Sequence, residues 1–452
     1  MGIDKPGPQP DREYVAEMLN DPDHNFNVPS ELKDVAREDV LEVAHPIWNR
    51  VMKKIRKERR AIISGTDFVS FSLPVLGQPG RENSLISVST VGCMDAHRGD
   101  CSFCDYGTSG AKRMEVMESL PGQISSAFEL ILKENAGRDW ALVNLTAIGS
   151  MFDEREIPKE TRLDVYRRIA EMVKSKQFPE GVEWTTESRL KHVTPEVLDD
   201  LKQFFENEGI EIGKDLRIDV GYGIESSDPL ILEGAMAKRV AVPYKERVDL
   251  LHQYGIKATA HTLFKPPFLT ERESVEDAEK TVRFAWDNGL CDTMIVMTMN
   301  VRDATLVGEL AEQGMYRLPS IWSVAEIMKK LGPEICSKTH FFGFSVATDE
   351  AGVVDVKSKE EKKLKELIMK FSNTEEQWQE IIDLFDQASG LEKRKWSKMM
   401  QQTPKYTLQA RIATGLEVVG KKYLGTGFLD LAKQEKSRQR LKQAANRSQQ
   451  NG

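Results

Sequence analysis

Short apolar runs recur along the middle of this chain at helix-length intervals. The first convincing one is Leu85-Ile86-Ser87-Val88, and others follow over 141–148, 182–186, 216–224, 256–264 and 293–299. Runs such as Ala141-Leu142-Val143-Asn144-Leu145 and Ile218-Asp219-Val220-Gly221-Tyr222-Gly223-Ile224 are mostly apolar, as strands covered on at least one face by helices are. This alternation favours parallel βαβ units with right-handed crossovers. Six such units predict an α/β fold, a partial (βα)6 TIM-like barrel that is curved but not closed in the eight-stranded way, with its ligand site at the C-terminal ends of the strands.

The flanks follow other patterns. The first ten residues are rich in proline and glycine, and 12–60 reads as helices with a polar break near Asp21-Pro22-Asp23. Leu73-Pro74-Val75-Leu76-Gly77-Gln78-Pro79-Gly80 reads as a loop leading into the first strand. Beyond His340 the period becomes helical: Leu364, Leu367, Ile368 and Phe371 share one face, and Thr374 with Gln377 resembles a capping box. The expected organisation is an N-terminal helical extension over 1–80, the barrel over 81–345, and a C-terminal helical region over 346–452 with a basic polar tail. No internal repeat beyond the βα alternation is visible.

Composition narrows the function classes. The chain has 452 residues, 30% of them charged, and a formal net charge of -8, the balance of a globular protein with room for a sizeable core. Mild acidity argues against a nucleic-acid coat protein but permits local basic patches. The run Lys53-Lys54-Ile55-Arg56-Lys57-Glu58-Arg59-Arg60 and the tail Lys433–Arg447 could grip phosphates or serve as solvated helix faces. Met1-Gly2-Ile3-Asp4-Lys5-Pro6-Gly7 has no apolar core of a signal peptide, and no run approaches the length of a membrane span. The expectation is a cytoplasmic protein with no membrane partner.

Of five cysteines, three fall within Cys93-Met94-Asp95-Ala96-His97-Arg98-Gly99-Asp100-Cys101-Ser102-Phe103-Cys104, directly after the first strand. This is not the even, dispersed pattern of a secreted disulfide scaffold, so a reducing compartment is expected. Thiolates grouped this closely suggest a shared soft metal. Cys93, His97, Cys101 and Cys104 could hold a structural zinc in a binding protein. Alternatively, Cys93, Cys101 and Cys104 could hold a [4Fe-4S] cluster, leaving one iron open for chemistry. A large βα fold needs no zinc staple, which favours the cluster. Cys291 and Cys336 read as buried thiols.

A βα chain with a three-cysteine loop ending Cys-x-aromatic-Cys, with Phe103 as the aromatic, resembles the radical S-adenosylmethionine (SAM) superfamily. The first cysteine gap is seven residues, where three is usual in that superfamily. Ile148-Gly149-Ser150-Met151-Phe152, Thr186-Glu187-Ser188-Arg189 and Gly223-Ile224-Glu225-Ser226, after the second, third and fourth strands, resemble in order the motifs of its elongator-catalytic-subunit branch. The long first gap, Cys-x-x-Cys-x-Tyr, Gly149-Ser150-Met151-Phe152-Asp153, Phe264-Lys265-Pro266-Pro267-Phe268-Leu269-Thr270-Glu271 and Tyr316-Arg317-Leu318-Pro319-Ser320-Ile321-Trp322-Ser323 are most similar to the radical SAM subunit of archaeosine synthase and its relatives. The resemblance covers about residues 83 to 330.

It implies an enzyme that cleaves SAM reductively to a 5'-deoxyadenosyl radical, with a flavodoxin or ferredoxin type electron donor. Its substrate would be transfer RNA or a small, amino-acid-derived metabolite. The resemblance assigns the three cysteines to the cluster, and Phe103, Gly149, Ser150, Glu187, Arg189 and Glu225 to SAM. Arg189 would pair with the SAM carboxylate, while Glu187 would hold the guanidinium or the SAM ammonium. His261 and Lys265, at the end of the fifth strand, are candidate substrate residues.

Overall fold

The computed structural model describes residues 26–59, 68–74, 82–106, 113–342, 354 and 356–450. The helical reading of 12–25, the proline- and glycine-rich opening and the loop over 75–80 lie outside the described residues. Eight strands form one sheet in chain order: β1 Val69–Pro74, β2 Glu82–Val88, β3 Trp140–Ala147, β4 Gly181–Glu187, β5 Leu216–Glu225, β6 Lys257–Phe264, β7 Thr293–Thr298 and β8 Thr339–Phe342. β1 pairs antiparallel with β2, and every later neighbour pairs parallel. β1 and β8 are the two ends of the order, so the barrel is partial, as the alternation predicts.

Two strands go beyond that expectation. The six-strand reading misses β8, because four residues of Thr-His-Phe-Phe show no periodicity of their own. It also leaves 69–74 in the N-terminal extension, although this segment pairs with β2 from Val69↔Ser87 to Pro74↔Glu82. Pro74 occupies the last position of an edge strand, where a missing N–H is tolerated.

The strands alternate over most of their length. Val182 and Trp184 of β4, Ile218 and Val220 of β5, Ala258 and Ala260 of β6, and Met294 and Val296 of β7 face outward into the main apolar core beneath the crossover helices. The intervening positions, among them Glu183, Thr185, Asp219, Thr259, His261 and His340, line one interior cavity of about 580 Å³. Residues of every strand from β2 to β8 line it, so the sheet curls around it. The period of two therefore separates an apolar helix-facing layer from an interior of mixed polar and apolar side chains.

The terminal extensions share a second apolar core. Val40, Val43, Ile47, Trp48, Val51 and Ile55 of the helix Arg37–Glu58 pack with the π-helix Leu230–Ala235 and with Ile412, Leu416 and Val419 of the helix Leu408–Leu424. The Trp48 indole donates to Gly234 O at 2.7 Å, satisfying a polar atom that burial would otherwise strand. Farther along, Leu364, Ile368 and Phe371 are buried in the barrel core as their shared face predicts. Thr374 caps its helix, but Gln377 Oε1 accepts from Ser372 rather than from Thr374 N–H, so the box is half formed. Among the described residues no helix is long and apolar enough to cross a membrane.

Candidate functional site

The cysteine loop leaves the C-terminal end of β2 and closes on itself, with Cys93 N–H donating to Tyr106 O at 3.0 Å. Cys93 and Cys101 are buried and Cys104 is partly so. The N-terminal helix clamps this loop from outside. Arg56 donates to Ala96 O, to Cys101 O at 2.8 Å and to Cys104 O at 3.0 Å, with a longer bond to Asp100 O. His45 Nε2 and Asn49 Nδ2 meet Asp100 Oδ1 at 3.0 and 3.1 Å. The helix backbone comes so close that a Cβ on Gly99, at φ +96, would lie 2.3 Å from Asn49 O.

Arg56 belongs to the basic run that the sequence leaves open as a phosphate grip or a solvated helix face. Burial lowers its pKa, while Cys104, Cys101 and Cys93 act in that order to raise it. One guanidinium thus lies within electrostatic reach of all three thiols. Its role left no signal in the sequence, because it depends on a helix some forty residues away folding back over the loop.

From the other side, the turns after β3, β4 and β5 interlock. Gly149, at φ +137, has space for no side chain: a Cβ would meet Glu156 Oε2 at 1.9 Å and Cys93 Cα at 3.5 Å. Glu156 accepts from Ser150 N–H at 2.6 Å and Met94 N–H at 2.7 Å, tying the glycine turn to the cysteine loop. Burial pushes its carboxyl up to about 7. Ser150 Oγ accepts from Arg189 N–H at 3.1 Å, Met151 N–H donates to Glu187 O, and Ser188 N–H donates to Gly221 O.

Arg189 turns to the cysteines: its Nη2 lies 2.9 Å from Cys101 Sγ, and its other terminal nitrogen pairs with Asp95, as does Lys191. Asp95, buried inside the cysteine loop, is therefore the carboxylate that pairs with Arg189, one of the two roles the sequence reading left open for Glu187. Glu187 is raised to about 7 by burial and by Glu225. Glu225, at φ +60, takes Lys238 Nζ at 2.8 Å, and the same ammonium donates to Gly223 O at 2.6 Å. Lys238 carried no sequence signal. Phe103 packs against the second apolar core.

The two candidate substrate residues part company. His261 lines the cavity, and its imidazole pKa is lowered to about 4 by burial and by Lys238. Lys265 is fully buried away from the cavity lining, donating to Leu269 O at 2.8 Å and lying 3.4 Å from Glu271 Oε2. Burial lowers it to about 7. It braces the turn after β6. Cys291 and Cys336 are buried free thiols.

Among the described residues, no three His, Cys, Asp or Glu side chains are drawn together around one metal-ion position. His97, the fourth member of the zinc set, instead directs Nε2 to Val91 O at 2.8 Å. A single zinc with bonds of about 2.3 Å requires thiolates on the order of 4 Å apart, whereas cluster thiolates each bind a different iron. Cys93, Cys101 and Cys104 share a neighbourhood faced by Arg56, Arg189 and Lys238, and their soft sulfur donors suit a thiolate-bound metal or cluster. Burial pushes Cys101 up to about 12, so ligation would displace its proton.

The basic runs are partly spent on internal pairs. Arg59 pairs with Glu309 at 2.8 Å and also with Glu312, while Lys436 pairs with Asp39 at 2.7 Å and Glu42 at 3.3 Å.

No family model matches the chain. It is 26% identical over 253 residues to an uncharacterized protein of Methanocaldococcus jannaschii, covering 56% of this chain and 65% of that protein, so it spans just under two thirds of that relative. It is 27% identical over 280 residues to archaeosine synthase subunit beta of Thermococcus kodakarensis, covering 62% of this chain and 78% of that one. The corresponding subunit of Methanosarcina acetivorans is 25% identical over 294 residues, with 64% and 76% covered. Among solved structures, the archaeal Methanocaldococcus infernus Elp3 with an N-terminal deletion aligns at a TM-score of 0.41 and 14% identity, covering 55% of this chain and 57% of that one. The radical S-adenosylmethionine methyltransferase TsrM of Kitasatospora setae aligns at 0.32 and 17%, covering 50% and 39%. In sequence, the chain is thus distantly similar to archaeosine synthase beta subunits over more than half its length.

Proposed function

We propose that this chain is a radical SAM enzyme that holds a [4Fe-4S] cluster on Cys93, Cys101 and Cys104 and abstracts hydrogen from a substrate, in bond-cleaving chemistry of the archaeosine type on transfer RNA. The observation that carries this reading is the meeting of the Cys93, Cys101 and Cys104 loop with the Gly149–Ser150 turn at the C-terminal mouth of a partial barrel, above a cavity of about 580 Å³. The bound cluster and SAM would supply one-electron cleavage to a carbon-centred radical. The chain's own part is positional. Glu156 holds the glycine turn against Cys93, Asp95 holds Arg189 beside Cys101, and Lys238 compensates the Glu225 charge. The curled sheet surrounds the interior where a substrate C–H would lie. A flavodoxin or ferredoxin type protein would deliver the electron.

A second reading keeps this chemistry and replaces transfer RNA by a small metabolite. Two observations favour it: the cavity of about 580 Å³ has the size of a small-molecule site, and Arg56, Arg59 and Lys436 of the basic runs are engaged inside the protein. Anaerobic reconstitution tests the common core: about four iron per chain and release of 5'-deoxyadenosine under strong reductant are expected. About one zinc per chain with no iron uptake would replace it with a zinc-stabilised binding protein. Mass spectrometry of digested transfer RNA and metabolites from cells with and without the gene separates the two substrates.

A further inference from the structure

Most cations that face the cysteine loop are neutralised close by. Arg189 and Lys191 both pair with Asp95, and Lys238 pairs with Glu225. Arg56 differs from all of them. Every hydrogen bond it makes ends on an uncharged backbone carbonyl: Ala96 O, Asp100 O at 3.3 Å, Cys101 O at 2.8 Å and Cys104 O at 3.0 Å. Its Nε makes none. The Asp100 carboxylate lies within electrostatic reach but is turned to His45 and Asn49.

This charge is also poorly screened. Arg56 is 6% exposed, and Met52 and Ile55 on the same helix are fully buried in the second apolar core. Lys53, Lys54 and Lys57 of the same basic run are exposed, where water and salt damp a charge. A guanidinium keeps its proton in such a setting, so the field it casts on the loop is permanent. Cys104, Cys101 and Cys93 interact with it in that order of strength.

Resting on the proposal that these thiols hold a [4Fe-4S] cluster, we infer that Arg56 raises the reduction potential of that cluster. Uptake of one electron adds one negative charge to a buried group, and a fixed cation close by in a low dielectric favours the more negative state. Arg56 acts from behind the ligands, since its bonds end on the carbonyls of Cys101 and Cys104 and not on the reacting atoms. A clamp without this electrostatic role changes stability and iron retention but leaves the potential where it is.

The test is a redox titration followed by electron paramagnetic resonance, on the full-length protein reconstituted anaerobically and without SAM. Iron content and thermal melts establish that each variant is loaded and folded. Arg56→Gln is expected to lower the equilibrium constant for reduction by about tenfold or more, a shift of about 59 mV for one electron. Arg56→Lys keeps the charge but not the fork of donors, and its potential is expected to lie between those of Arg56→Gln and the parent. Lys57→Gln removes an exposed charge from the next position and is expected to leave the potential unchanged. Should Arg56→Gln fail to load iron, Asp100→Asn decides the matter: removal of that nearby negative charge is expected to raise the potential. The inference is overturned by a potential that Arg56→Gln does not move, by an Arg56→Lys value no higher than that of Arg56→Gln, or by an equal shift in Lys57→Gln. Where Arg56→Gln does not load, an Asp100→Asn potential at or below that of the parent overturns it. Iron uptake with a potential independent of Arg56 sinks this inference alone, whereas a parent protein that takes up no iron sinks the cluster reading and this inference with it.

Discussion

The mouth of the barrel and its lower cavity are made of similar residues used in opposite ways. At the mouth nearly every charge is spoken for: Arg56 by four carbonyls, Arg189 and Lys191 by Asp95, Glu156 by two N–H groups, and Lys238 by Glu225. In the cavity, Asn83, Thr185 and Asp219 present atoms with no protein partner. Arg56 Nε and Asn49 Oδ1 at the mouth also make no hydrogen bond, so the mouth is the more fully paired region rather than a completely paired one.

The harshest way to break this contrast is Cys101→Ala. It should abolish iron retention and 5'-deoxyadenosine release together, and undiminished release would contradict the cluster assignment. Arg56→Gln comes next. Losing the charge-assisted bonds to the loop carbonyls should cost on the order of 3 kcal/mol in a denaturant melt. It should also speed alkylation of the three thiols in the metal-free chain, with Arg56→Lys recovering only part of either effect.

Gly149→Ala probes the frame more gently. Its Cβ would displace the Glu156 carboxylate, so a loss of about 2 kcal/mol is expected in the same melts; a neutral result would mean that the turn is not held as described.

The smallest effect comes from the cavity and runs with pH. Asp219 titrates near 7 in the fold, against the usual carboxylate value of about 3.9. The folded state therefore holds a proton that the unfolded chain has released, and Asp219 costs stability progressively as pH rises from about 4 to about 7. Asp219→Asn removes that slope. Relative to the parent, it should gain on the order of 2 kcal/mol between about pH 5 and pH 8, measured by urea melts at several pH values; parallel curves would show that Asp219 is not buried as described.

How far each region was legible follows from how local its physics is. The cysteine loop and the Gly149, Arg189 and Glu225 turns stand out because each is a short contiguous pattern after a strand. Asp95 and Glu156 lie near these same motifs, yet nothing local marks which of the many carboxylates accepts backbone N–H groups, as Glu156 does, or pairs with an arginine, as Asp95 does. Lys265, beside a conspicuous Pro-Pro pair, looks equally functional in sequence and turns out to brace a buried turn. The inward polar positions were visible in principle. Glu183-Trp184-Thr185 and Lys257-Ala258-Thr259-Ala260-His261 alternate plainly, but a reading that weighs apolar runs overlooks which face the polar residues share.

By itself, the sequence determined the βα order, the partial barrel and the three-cysteine loop after its first parallel strand, because strand periodicity and residue spacing are properties of neighbouring residues. Only the tertiary structure decided that β1 and β8 complete the sheet, that Arg56 and Asp95 rather than Glu187 secure the cysteine mouth, and that a cavity of mixed polar and apolar lining reaches the opposite end of the barrel. Those outcomes depend on which distant groups burial forces together, since a charge taken out of water must find its partner wherever the fold brings one.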